Sequence, residues 1–181
     1  MKKETYARML FCAVLAIAAS TVFAQSPSPS LAKELAATWD RAAKDIIDVA
    51  EAMPEERYDF KPTPEMSTFG DQLAHVITLV QRSIDATKGV KSEAGDAHKA
   101  MKKAEVVSHL KQTFQTGREL IASLTDAQVV EGVKPVRGDE MVTRVGFWMG
   151  PLYQVRNHHG QLVVYLRLNG VVPPTTARRR G

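Results

Sequence analysis

Apolar residues in this chain return at steps of three and four in four separate stretches, a rhythm that leaves room for little besides helices burying one face each. In the first, Leu35, Trp39, Ala42, Ile46, Val49, Ala50 and Met53 form one stripe, with Lys33, Asp40, Lys44 and Asp48 lying off it. The second runs through Leu73, Val76, Ile77, Val80 and Ile84, and the third through Val106, Leu110, Phe114, Gly117, Ile121 and Leu124. The fourth carries Val155, Leu162 and Leu166 and extends to Asn169. No clear strand pattern interrupts them. A one-sided helix needs a partner for its apolar face, and 181 residues at 44% hydrophobic content suit one core, so the expectation is an all-α, single-domain four-helix bundle.

Residues that break or cap helices set its limits. Ser30 is placed to cap the first helix, and Pro54 ends it. The stretch Tyr58 to Glu65 holds Pro62 and Pro64, which exclude a helix, and Tyr58 and Phe60 are the residues to pin it to the bundle. Thr68, followed three residues later by Asp71, has the form of a capping box for the second helix, which Gly89 closes. A polar segment from Val90 to Lys102 leads to the third helix; after it, Thr125-Asp126 starts a turn or short helix and Gly132 to Glu140 reads as a loop. Pro151 either opens the fourth helix or kinks one that begins near Thr143. Gly170 stops that helix and Pro173-Pro174 prevent its continuation. The bundle is therefore expected over residues 31–172, with long connections after helices 1 and 3 and a disordered basic tail over 173–181.

The first 24 residues differ from the rest. Lys2, Lys3 and Arg8 precede an apolar run from Met9 to Ala19, and Val22-Phe23-Ala24 offers small residues at a cleavage position. This is the pattern of a secretory signal peptide, and the run is well short of the roughly 20 residues a spanning helix needs, so cleavage after Ala24 is favoured over retention as an anchor. The expectation is an exported protein, periplasmic or secreted, with no stable membrane anchor after cleavage and a Pro/Ser linker over 25–30. Cys12, the one cysteine, leaves with the leader, which removes both disulfides and a thiol nucleophile. The leader also carries half of the formal charge of +4, and Arg178, Arg179 and Arg180 more than account for the remainder. No basic face is left in the body of the protein to grip a nucleic acid.

No nucleophile motif or phosphate-binding glycine loop is present, so chemistry falls to the five histidines. Gln154 and His158, four apart, share a helix face, and His75 on the second helix is able to meet them across the bundle. Three such groups with open positions make a catalytic type of metal site. Spacing alone does not select this set: His75 falls at the edge of its apolar stripe, and His159 aligns better than His158 with Val155, Leu162 and Leu166. Surface or packed histidines are the commoner outcome. His98 and His109 have no partner at ligand spacing and read as solvated.

Three stretches resemble the DinB superfamily: Phe60-Lys61-Pro62-Thr63-Pro64-Glu65, Asp71-Gln72-Leu73-Ala74-His75-Val76, and the block from His158 through Leu166-Arg167-Leu168-Asn169-Gly170 to Pro174. The resemblance implies a DinB/YfiT-like bundle, often dimeric, holding a divalent metal such as zinc, nickel or iron by one histidine on the second helix and two, four apart, on the last. His75 matches the first position and His158 the last. The middle one is Gln154, a departure from the pattern. An amide oxygen is a weaker donor than imidazole to a borderline-soft metal, so affinity falls or the metal is absent. His159 does not repair the loss, since neighbours on a helix point about 100° apart; Tyr153 or Asp71 offer alternatives that nothing in the sequence demands.

Two functions follow from the resemblance. One is a non-catalytic binding module for an unknown small molecule, with a weakened or vestigial metal site; Gln154 favours it. The other is a metal-dependent enzyme, a hydrolase or thiol-dependent transferase using metal-activated water or thiol, with hydrolysis better suited to an exported protein that lacks cytosolic thiols. The stripes themselves are open to test. Truncating Leu110, Phe114 or Leu162 to alanine should cost about 2–5 kcal/mol, whereas His98→Ala should be nearly silent. Equal shifts in a thermal scan would undo the assignment of faces.

Overall fold

A computed structural model describes residues 29–93 and 101–180. The leader over 1–24, most of the Pro/Ser linker and His98 lie outside the described residues. Four long helices carry the four stripes: α1 Leu31–Ala52, α2 Phe69–Thr87, α3 Lys103–Ala122 and, after a short α4 at Asp126–Val129, α5 Arg144–Leu168. All seven stripe residues of α1 and all five of α2 are buried, as are Val106, Leu110, Phe114 and Ile121 of α3 and Val155, Leu162 and Leu166 of α5. No helix among the described residues is long and apolar enough to cross a membrane.

The helices form a square in which α1 and α2 each pack on both α3 and α5. Helices consecutive in the chain, α1 then α2 and α3 then α5, thus stand on diagonals, which is why the connections after the first and third helices are long. The first connection is fastened at both ends. The Tyr58 hydroxyl donates to the Ala50 carbonyl at 2.6 Å, and the Lys103 ammonium donates to the carbonyls of Glu51 and Met53 at 2.7 and 2.8 Å. Those are orphan acceptors of the last turn of α1, whose own continuation Pro54 prevents. Tyr58 then stacks edge-on to Phe69 at the start of α2, and Phe60 does the same to Tyr165 of α5.

Caps follow the sequence closely. Lys33 N–H donates to Ser30 Oγ, Asp71 N–H to Thr68 Oγ1 and Gly146 N–H to Thr143 Oγ1. This last bond settles the start of α5: the helix begins at Arg144 and runs through Pro151, which is buried inside it. At the other ends, Gly89 and Gly170 take φ of 69° and 72°. The N–H groups of Val90 and Val171 return to the carbonyls of Asp85 and Leu166, closing a Schellman turn on α2 and on α5 that a side chain at either glycine would strain.

Two expectations are corrected. The Gly132–Glu140 loop is not wholly irregular: Gly132–Val133 (β1) pairs antiparallel with Val142–Thr143 (β2), two residues each, too short to leave an alternating pattern. The segment after Pro173 is not a disordered tail either. Pro174–Ala177 form a helical turn, α6, and the Arg178 guanidinium donates to Asp45 at 2.8 Å and also to Asp48, both on α1. A basic tail meets a pair of carboxylates, and these ion pairs hold it down.

At the centre, Trp39 of α1 is fully buried and packs against α3 and α5. Its Nε1–H donates to the Phe114 carbonyl at 2.9 Å, and its ring packs on Phe114 and edge-on to Trp148, both at 5.3 Å between centroids. Gly117 makes this possible, since a Cβ there would lie 2.4 Å from Trp39 Cζ2. Gly117→Ala should therefore destabilise by about 1–3 kcal/mol through overpacking, despite alanine's better helix propensity. Gly160→Ala in α5, where a Cβ meets nothing within 4 Å, should stabilise by up to about 1 kcal/mol. Urea unfolding of both variants checks the pair; a Gly117→Ala protein as stable as the parent would remove Trp39 from its central role.

Candidate functional site

The α2 face that looks toward α5 carries Gln72, His75, Leu79 and Arg82, spaced by three and four, and α5 answers with Gln154 and His158. His75 and His158 meet across the two helices with ring centroids 5.0 Å apart and planes at 62°. His158 Nδ1 lies 2.7 Å from Gln72 Oε1. An amide oxygen only accepts, so Nδ1 carries the proton and Nε2 keeps its lone pair. Burial, and after it the neighbouring His75, lower the pKa of His158, which keeps the imidazole neutral at pH 7. Gln72 also touches Tyr165, whose hydroxyl donates to the Ser67 carbonyl at 2.8 Å; burial raises that phenol's pKa and the Gln72 hydrogen bond partly offsets the rise.

Beside the pair opens a cleft of about 360 Å³ between α2, the first half of α5 and the loop joining β1 to β2. His75 and Gln154 both line it, with Arg82 and Ser83 from α2, Arg137 and Val136 from the loop, and Phe147 and Gly150 from α5. So the structure brings together His75, His158 and Gln154, and separates the two adjacent histidines. His159 turns toward α1 and the C-terminal segment, where Asp45, Arg156 and Arg178 act on it, and its Nε2 is buried with no hydrogen-bond partner. Tyr153 is 71% exposed, and Asp71 lines a different cleft with Glu55, Glu56 and Lys103, so neither completes the group. His109 lies in a cleft between α2 and α3, away from all of these.

Gln72, Arg82 and Arg137 are the neighbours that motif reading passed over. The two on α2 were accessible to it, since Gln72 and Arg82 stand three before and seven after His75 on one face. Arg137 sits in a loop, where no periodicity reports direction. As a donor set the site has two imidazole nitrogens and one neutral amide. Among the described residues no group of three or more His, Cys, Asp or Glu is placed to hold an ion. The set falls short of the three strong protein ligands of a catalytic zinc centre. One part does match what a ligand requires: the Gln72 bond to Nδ1 fixes the tautomer and aim of His158.

A sequence model of the DinB superfamily matches residues 38–162. None of the curated proteins matches the chain. Among solved structures, a DinB-like protein from Bacillus cereus superposes with a TM-score of 0.67 at 16% identity, over 80% of this chain and 96% of that one. A DinB-like protein from Bacillus subtilis gives 0.60 at 15%, over 76% and 92%. A conserved protein from Enterococcus faecalis gives 0.63 at 14%, over 78% and 98%. At such identities the likeness is one of fold.

The two adjacent histidines give the fold an acid-sensitive point. Burial is the first cause of the lowered pKa in both His158 and His159; for His159, Asp45 opposes it while Arg156 and Arg178 reinforce it. The unfolded chain takes up protons near pH 6.5 and the folded one only below that, so the folded state has its full stability above about pH 6.5 and loses part of it as the pH falls. The melting temperature should drop between pH 7.5 and pH 5, and His159→Leu should flatten that slope. A slope unchanged in the variant would assign the acid loss elsewhere.

Proposed function

The chain belongs to the DinB superfamily, and from that premise we propose that it is a non-catalytic binding module whose divalent-metal site is weakened to a His75/His158 pair. The observation that carries this is the third position. Where the family's pattern calls for a histidine, Gln154 offers an uncharged oxygen, and no other His, Cys, Asp or Glu stands in for it among the described residues. The chain keeps the position and loses the grip. The leader-like N-terminus belongs to the same reading: an exported protein without cysteine works where small cytosolic thiols do not supply a cosubstrate.

One observation favours the other reading, a metal-dependent hydrolase. His158 is oriented by Gln72 as ligating histidines are by their outer partners. A zinc, nickel or iron ion held there would supply an acidified water.

Metal content separates the two. The protein as purified should hold well under one equivalent of zinc, nickel or iron by elemental analysis. Gln154→His should raise zinc affinity by about tenfold or more, and adding His75→Ala or Gln72→Ala to that variant should take it away again, Gln72→Ala by about 10–100-fold. Near-stoichiometric metal in the native protein, lost in His75→Ala, would establish the enzyme reading instead. Failure of Gln154→His to bind would show that the pair is no metal site at all.

A further inference from the structure

Helices α1 and α3 turn charged and polar side chains to solvent, among them Lys33, Asp40, Lys44, Lys111, Gln115 and Glu119. Helix α5 does not follow that rule. It contains no Asp, Glu or Lys, and of its arginines Arg144 and Arg156 are occupied with Glu131 and Asp45. On the side away from Val155, Leu162 and Leu166, which face the core, Met149, Tyr153, Val164 and Leu168 stand 49–71% exposed. With the exposed Asn157 and Gly160 between them, these positions follow one another at steps of four, four, three, four and four, and so form one ridge along about 28 Å of helix. A helix apolar on two opposite sides is one built to be covered on both.

We propose that this ridge is the contact between two copies of the chain, packed α5 against α5, antiparallel, about a twofold axis level with the His158–His159 peptide. A twofold contact needs a surface that matches itself, and the order of steps along the ridge reads the same from either end. Under that axis Met149 meets Leu168 of the second copy, Tyr153 meets Val164, and Asn157 meets Gly160. Large apolar side chains thus fall on large apolar ones, and the middle holds a glycine where a Cβ would find nothing within 4 Å. Arg167 falls opposite Gly150, equally open, which leaves room for the arginine stem. Charge selects the same direction: parallel helices would set Arg156 on Arg156 and Arg167 on Arg167, whereas the antiparallel pair holds the two Arg167 guanidiniums at opposite ends of the seam. Two ridges of this length bury on the order of 1,000 Å², the threshold of a specific interface, so the dimer forms and parts with concentration. None of His75, Gln154 and His158 belongs to the ridge, and the proposal stands apart from the reading of the metal site.

The test is sedimentation equilibrium of the full chain between about 1 and 100 µM, under reducing conditions that keep Cys12 from linking copies. The average mass should climb from 20.0 kDa toward twice that value. Tyr153→Glu and Val164→Lys should each move the midpoint at least about tenfold to higher concentration, because each buries a charge without a partner. Both positions are exposed in the single copy, so neither variant should lower the melting temperature of the dilute protein. Combining the two should restore the dimer, since the introduced acid of one copy then meets the introduced base of the other; within one helix the positions lie about 16 Å apart and cannot pair. A chain that stays at 20.0 kDa throughout, a dimer unmoved by both single variants, or a loss that the double variant fails to rescue would overturn the proposal. A monomer that sediments with phosphatidylglycerol vesicles, and no longer does so in Tyr153→Glu, would overturn it in favour of a lipid surface.

Discussion

The bundle is assembled around the indole of Trp39. Helices α3 and α5 both touch that ring, its one polar atom is answered by the Phe114 carbonyl, and Gly117 clears the space it occupies. A buried N–H without a partner would cost about 1–3 kcal/mol, so the hydrogen bond removes a penalty that burying the ring would otherwise carry. Because the ring fixes α1 against α3 and, through Trp148, α1 against α5, the spacing of the square follows from it. The α2 and α5 faces that carry His75 and His158 are then brought together as one of the two remaining sides.

Diagonal connectivity has a functional side as well. A chain that must cross the square needs long connections, and such segments stay ordered only if something fastens them. The crossing after α1 is held by Tyr58, Phe60 and Lys103. The one after α3 is held by α4 and the β1–β2 pair, where Arg144 N–H also donates to the Glu131 carbonyl at 2.8 Å. What this second crossing gains for the site is a loop beside the cleft, which adds Val136 and Arg137 to its lining.

Most of the fold was legible in the sequence, because burial imposes a period on helices and breakers are read locally. The stripes of α1 and α2, the caps at Ser30 and Thr68, and the stops at Gly89 and Gly170 all needed only near neighbours, whereas the start of α5 stayed open between Thr143 and Pro151. What escaped depended on distant ones. Two-residue strands leave no period, and the Arg178 pairing needs Asp45 and Asp48 from the opposite end of the chain. The candidate site divides the same way. An ideal wheel favours His159 over His158, yet both are half-buried: one turns to His75 and Gln72, the other to α1 and the C-terminal segment, so that two different faces of one helix each enclose a histidine. Pattern resemblance chose His158 where periodicity did not.

The ion pairs on Asp45 add a different kind of cohesion. This carboxylate accepts from Arg156 of α5 at 2.6 Å and from Arg178 after α6 at 2.8 Å, while Asp48 serves Arg178 and Lys44. These are surface charges, sensitive to ionic strength in a way that a buried indole is not. The end of the chain is thus latched by a force that dissolved salt weakens, onto a body that salt leaves intact. The molecule has a firm interior and a conditional edge, and the surroundings it meets decide how firmly that edge is closed.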